Sequence, residues 1–192
     1  LLAPLLDWFG DRDDGEALRI PLPVAAELDG AGGRWKGRGR KQLRELREAL
    51  AELPDAMDEV PGLAGSLRPY QARGVAWLRR LSLLGLGGLL ADDMGLGKTV
   101  QILAHVLDER ARGAASAPVL VVAPTSLVAN WCAEAERFSP TLRVLQLQRS
   151  KESRAAALAT IGEADLVVTT YALLVRDLDE LKTQRSEERR VG

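Results

Sequence analysis

Nine consecutive residues carry the strongest chemical signal in this chain of 192: Ala91-Asp92-Asp93-Met94-Gly95-Leu96-Gly97-Lys98-Thr99. Gly95 and Gly97 permit backbone conformations closed to residues with a Cβ. A loop of that kind can turn its N–H groups inward on an anion. A helix starting at Lys98 would aim the positive end of its dipole at the same point. Lys98 would add a mobile point charge for the outer phosphates of a nucleotide. The Thr99 hydroxyl would stand where Mg²⁺ is ligated in phosphate loops. Asp92 occupies the position where the general G-x-x-x-x-G-K-[ST] pattern has glycine. Asp92 and Asp93 place negative charge beside a phosphate site, which is costly unless Mg²⁺ or Lys98 compensates. Two roles stay open for them: holding Lys98 before ATP arrives, or shaping a turn.

Such a loop works only between a strand and a helix. The sequence supplies both: a short apolar strand over Gly87–Ala91 and a helix over Lys98–Arg112. The alternation continues downstream. Strands are expected at Pro118–Ala123, Leu142–Leu147 and Asp165–Thr170, with helices at Ser126–Phe138, at Ser150–Ile161 and from Leu173 through Leu181. The wholly apolar run at 118–123 reads as a parallel strand buried on both faces. Upstream, Pro69 can open a helix through Leu81. This pattern predicts an α/β fold with a doubly wound parallel sheet. Residues 54–66 hold Pro54, Pro61, Gly62 and Gly65 and read as a linker. Residues 1–60 then form a small, mainly helical N-terminal extension, irregular at first and helical over 41–53. Residues 61–184 form the α/β unit.

Composition narrows the function classes. The chain is 46% apolar and 28% charged, with a net charge of −1. That excludes a uniformly basic nucleic-acid coat and leaves room for a local basic patch. One cysteine, Cys132, excludes a disulfide framework, and one histidine, His105, excludes a site that needs two. No apolar run reaches the roughly 18–20 residues of a membrane span. A reducing, cytoplasmic setting is expected, with no membrane partner. Segment 34–47 carries seven Lys or Arg against the single acid Glu45, with Trp35 among them; it fits a nucleic-acid arm or a solvated helix face. The last eight residues, Arg185–Gly192, match the in-frame translation of a common sequencing adapter. They are set aside as foreign, and the natural chain is expected to continue past Gln184.

Four blocks in order give a family resemblance. Leu67-Arg68-Pro69-Tyr70-Gln71 with Gly74-Val75-Ala76-Trp77-Leu78 resembles the first motif of Swi/Snf-type ATPases, the DNA-translocating branch of superfamily-two helicases. Leu90–Thr99 resembles that family's phosphate loop, in which Asp at the position of Asp92 is usual. Ala123-Pro124-Thr125-Ser126-Leu127 with Asn130-Trp131 and Phe138-Ser139-Pro140 resembles the next motif, and Asp165–Tyr171 the one after. The wording of the loop is most similar to bacterial members.

The resemblance implies most of the first of two RecA-like lobes, using ATP and Mg²⁺ and gripping double-stranded DNA by its backbone. By resemblance Gln71 reads adenine, with Arg68 and Tyr70 flanking the base. Asp92, Met94, Gly95, Leu96, Gly97, Lys98, Thr99 and Val100 line the phosphates. Pro124, Thr125, Ser126, Thr169, Thr170 and Tyr171 meet DNA phosphates, although Thr125 and Ser126 also suit helix capping. The family's acidic Mg²⁺ box and second lobe have no match here, so the parent is expected to be the active enzyme and this piece nearly inactive. RNA polymerase and other DNA-bound proteins are open as targets. Two alternatives remain: another superfamily-two enzyme, of restriction or RNA-helicase type, and a non-catalytic ATP- or DNA-binding module.

Overall fold

The computed structural model of the chain describes residues 48–115, 117–147, 150 and 156–188, with backbone alone at 180 and 182–188. Packing divides the chain into Leu1–Glu52 and Leu53–Gly192. Of the first unit, only 48–52 lie among the described residues, with helix at 48–51. The basic segment 34–47 lies outside them. Everything that follows concerns the second unit.

Helix α1 (Pro69–Leu84) begins with proline in its first turn, where a fixed φ helps and no N–H is missed. It stops at Gly85, whose φ of 65° is left-handed; Gly85 N–H donates to the Ser82 carbonyl and Leu86 N–H to the Leu81 carbonyl. Helix α2 (Lys98–Ala111) follows the glycine loop, and α3 (Thr125–Phe138) follows strand β1 (Val119–Val122). Then come β2 (Val144–Gln146), a 3₁₀ turn (Ile161–Glu163), β3 (Leu166–Thr169) and α4 (Tyr171–Glu188).

The three strands pair in parallel in the order β1-β3-β2, with Val122 level with Thr169 and Gln146 level with Val168. Side chains alternate across β3. Leu166 and Val168 enter a core with Val75 of α1 and Leu103, Ala104 and Val106 of α2. Val167 enters a second core with Leu147, Leu158 and Ile161. The period of two thus builds apolar layers on both faces of the sheet, as a doubly wound fold requires.

Three sequence expectations change. First, β1 is not the strand buried on both faces: Leu120 is 42% exposed, while all four residues of β3 are buried. Both runs are apolar, and only neighbour count decides which lies at the centre. Second, residues 87–91 have no ladder partner among the described residues. Gly88 instead lies over α1, where an added Cβ would come within 2.4 Å of Leu81 Cδ1 and 2.7 Å of Trp77 Cη2. Third, the stretch read as a linker belongs to the core. Met57 and Val60 are buried, Met57 N–H donates to the Ala72 carbonyl, and Ala64 N–H donates to the Phe138 carbonyl.

The amino end of the sheet is tied by Asp165. Its carboxylate accepts from Arg143 N–H at 2.8 Å and pairs with Arg110 at 2.8 Å and with the Arg143 side chain at 3.3 Å. Its carbonyl accepts from Val119 N–H, so one residue joins β1, α2 and the turn before β2. Burial alone would raise the Asp165 pKa, but hydrogen bonds and charge from Arg143 and Arg110 hold it below the ordinary carboxylate value. A depressed folded-state pKa contributes stability above the unfolded value, near 3.9, that is lost as pH falls through the folded value.

Urea unfolding of the chain as a function of pH is therefore expected to show a loss of stability below about pH 4 that Asp165→Asn diminishes; equal acid sensitivity in both chains would remove Asp165 from this role. In the same assay Leu103→Ala, at a fully buried site, is expected to cost about 3 kcal/mol.

Candidate functional site

The loop before α2 is built on two glycines. Gly95 has φ 83° and Gly97 has φ 74°, both left-handed. Gly97 is required for a second reason: an added Cβ would meet Gln71 Nε2 at 2.5 Å and Val100 Cγ1 at 3.1 Å. Nothing lies within 4 Å of a Cβ at Gly95, so that side of the loop is open. Leu96 N–H closes a turn on the Asp93 carbonyl, and Gln101 N–H on the Gly97 carbonyl completes the first turn of α2. The amides of the first helical positions have no intrahelical acceptor and carry the positive end of the dipole.

Side chains from α1 fasten this loop. Tyr70 donates its hydroxyl to the Leu96 carbonyl at 2.9 Å, and Gln71 Nε2 donates to the same oxygen at 3.0 Å. Gln71 Oε1 accepts from Arg68 N–H at 2.9 Å. An amide offers two donors and two lone pairs, so one of each remains after these strong contacts, the spare donor facing Tyr70 Oη at a marginal 3.5 Å. Lys98 Nζ donates to the carbonyls of Asp92 (2.5 Å) and Asp93 (2.8 Å). The ammonium thus rests on backbone oxygens and not on the two carboxylates, and one of its three donors is free of these bonds. Thr99 stands half-buried in the first helical turn.

A cavity of about 430 Å³ opens beside the loop. Of the residues expected to contact nucleotide, Arg68, Tyr70, Gln71, Gly95, Gly97 and Val100 line it. Asp92, Leu96, Lys98 and Thr99 belong to the adjoining loop and first turn. Met94 is 96% exposed, so its side chain points away and only its backbone belongs to the loop. The sequence reading missed the far wall: Gly65 and Ser66 before α1, and Glu134, Arg137 and Phe138 at the end of α3. The Arg137 guanidinium lies 4.9 Å over the Phe138 ring. The only sequence signal for that wall was the Phe138-Ser139-Pro140 block. Two left-handed glycines, a cation and a helix start meet at this loop, so the residues present fit a nucleotide.

The second group of candidates lies at the carboxyl ends of the strands, where open α/β sheets meet ligands. Pro124, Thr125 and Ser126 are exposed after β1. Tyr171 is 66% exposed at the start of α4. Thr170 is nearly buried, and its Oγ1 accepts from Leu173 N–H at 3.3 Å, capping α4. Thr169 is fully buried in the central strand, and its hydroxyl is enclosed without a hydrogen-bond partner. His105 is half-buried with its pKa lowered by burial, in spite of Glu109 and Asp108 nearby. Cys132 is half-buried and Trp131 packs against the main core; neither faces the cavity. No helix among the described residues is long and apolar enough to cross a membrane.

Comparison with known proteins gives this fold a family. The model of the SNF2-related domain matches residues 70–191. YwqA of Bacillus subtilis is 39% identical over 146 residues, covering 74% of this chain and 16% of YwqA. The ISWI chromatin-remodeling complex ATPase ISW1 of Saccharomyces cerevisiae is 39% identical over 121 residues, 62% of this chain and 11% of ISW1. The SWI2/SNF2 ATPase core of Sulfolobus solfataricus, solved in complex with double-stranded DNA, superposes with a TM-score of 0.57 at 38% identity, covering 63% of this chain and 25% of that one. The chain therefore spans about a sixth or less of the length of YwqA and ISW1. With the family model covering well over half of its residues and a parallel sheet shared with a RecA-like ATPase core, the chain belongs to the SNF2-related domain family.

Proposed function

We propose that this chain is the ATP-binding lobe of a DNA-dependent ATPase, and that its full-length parent translocates on double-stranded DNA. The observation that carries this reading is the loop from Asp92 to Lys98. It is fastened to Gln71 and Tyr70 through one carbonyl and borders a cavity of about 430 Å³. In this reading the cavity takes adenine, with the spare donor and lone pair of Gln71 reading the base edge and Arg68 and Tyr70 beside it. The amides of Gly95 to Val100 hold the phosphates. Lys98 gives up its two carbonyl partners for the outer phosphate oxygens, which return more electrostatic energy to an ammonium than neutral carbonyls do. Thr99 would hold Mg²⁺, which supplies neutralisation of phosphate charge in phosphoryl transfer to water.

Double-stranded DNA is proposed as the partner at Pro124, Thr125, Ser126 and Tyr171, whose exposure supports contact with backbone phosphates; such contacts position without reading sequence. A motor of this kind would act on RNA polymerase or other DNA-bound proteins, and in a bacterium it would work on the nucleoid. The Met94-Gly95-Leu96-Gly97 wording and the Asn130-Trp131 pair favour this branch over other superfamily-two enzymes.

Titration of the 192-residue chain with a fluorescent ATP analogue and Mg²⁺ is expected to show weak, saturable binding with turnover near background. Lys98→Ala removes charge-assisted bonds and is expected to weaken that binding by about 10- to 100-fold; undiminished binding would sink the nucleotide reading. Duplex binding should weaken steeply with added salt. Ser126→Ala should lower it about threefold to tenfold by the same factor on unrelated sequences, and a sequence-dependent factor would count against backbone recognition.

A further inference from the structure

Gln101 lies one turn into α2 and is fully buried. Its Nε2 donates to Asp92 Oδ2 at 2.8 Å, while its Oε1 is enclosed without a hydrogen-bond partner. The amide fits because α1 has glycine opposite it. A Cβ on Gly74 would stand 1.9 Å from Oε1 and 3.1 Å from Cδ. An apolar side chain would fill this space without an unmet acceptor, so burial alone does not account for a glutamine here. Its bond to Asp92 does. Asp92 is gripped twice: its carboxylate by Gln101, and its carbonyl by the Lys98 ammonium at 2.5 Å. No ion pair joins Lys98 to either loop carboxylate among the described residues. Gln101 does not line the cavity; its side chain reaches the loop through Asp92.

We propose that Gln101 is a positioning residue: its buried amide holds the Asp92 carboxylate turned away from Lys98, so that the ammonium rests on exchangeable carbonyls and stays available to a phosphate. The consequence for nucleotide rests on the ATP-site reading above; the effect on the loop itself does not. A neutral amide is the right partner for this task. It occupies the carboxylate without adding a second cation. Released from Gln101, the carboxylate would be free to turn to the nearby ammonium and compete with phosphate for it. That competition depends on charge, which gives the role a signature that a packing defect lacks.

The test is Gln101→Leu in the 192-residue chain, read by thermal unfolding, by hydrogen exchange without nucleotide, and by titration with a fluorescent ATP analogue and Mg²⁺. The expected result is a melting temperature equal to or above that of the parent. Exchange at the amides of Asp93–Lys98 should quicken about tenfold while β3 is unchanged, and affinity should fall about tenfold. Adding Asp92→Asn to the Gln101→Leu chain should recover affinity to within about threefold of the starting chain, because the competing charge is gone. Unchanged loop exchange overturns the proposal, as does a further, additive loss in the double variant. A lower melting temperature with faster exchange in β3 also overturns it, since Gln101 would then be a core residue only. If the leucine chain does not fold, Gln101→Met replaces it, and failure of both to fold overturns the proposal in the same way. If the starting chain binds no nucleotide, the ATP reading falls while the exchange data still decide the role of Gln101.

Discussion

One backbone oxygen, the Leu96 carbonyl, takes hydrogen bonds from two side chains of a helix some 25 residues upstream. The loop around it has no strand or helix ladder of its own. Its shape is imposed from outside, by Tyr70 and Gln71 on one flank and by α2 on the other. This explains why the blocks at 67–78 and 90–99 must fold together: the first is the clamp of the second. It also explains the demand at Gly97, where both the backbone angle and the approach of Gln71 forbid a side chain. A base held by Gln71 and a phosphate held by the loop would press on the same carbonyl from opposite ends.

Much of this was legible in the sequence because the informative residues act locally. Glycine before Lys98-Thr99 marks the loop and the start of α2, and Pro69 marks the start of α1. The strand at 166–169 was legible from its apolar run. What was not legible depends on neighbours distant in the chain. Two apolar strands look alike until one is placed between partners, so the central position of β3 and the edge position of β1 could not be separated. Met57 and Val60 sit in a stretch punctuated by proline and glycine, and only the hollow between α1 and α2 reveals them as core. The cavity wall from Glu134 to Phe138 is set by how α3 lies against the segment before α1. Gln101 drew no notice in the sequence because its partner, nine residues back, comes close only once the loop has folded.

Polar groups divide between the two ends of the sheet. At the amino end, Asp165 is saturated by Arg110 and Arg143, and on α2 nearby Asp108 pairs with both Arg79 and Arg112. These charges satisfy one another inside the fold. At the carboxyl end, Lys98 rests on carbonyls, Thr125 and Ser126 are exposed, and the first-turn amides of α2 have no intrahelical acceptor. The charge chemistry still open to a ligand is gathered at one end, and the structural pairing at the other.

The parallel register has a mechanical consequence. Ala123 N–H donates to the Thr169 carbonyl, so the loops leaving β1 and β3 start side by side, joined at their base. A pull on the loop after β3 along the strand axis, with β1 and β2 held, would load the evenly spaced ladder in shear, all bonds together and not one by one as in peeling. The rigid backstop for such a pull is the Asp165 knot at the far end of the same strand. With that anchor at one end and exposed loops at the other, β3 is the strand along which tension in the sheet would run, and its complete burial keeps water from its bonds.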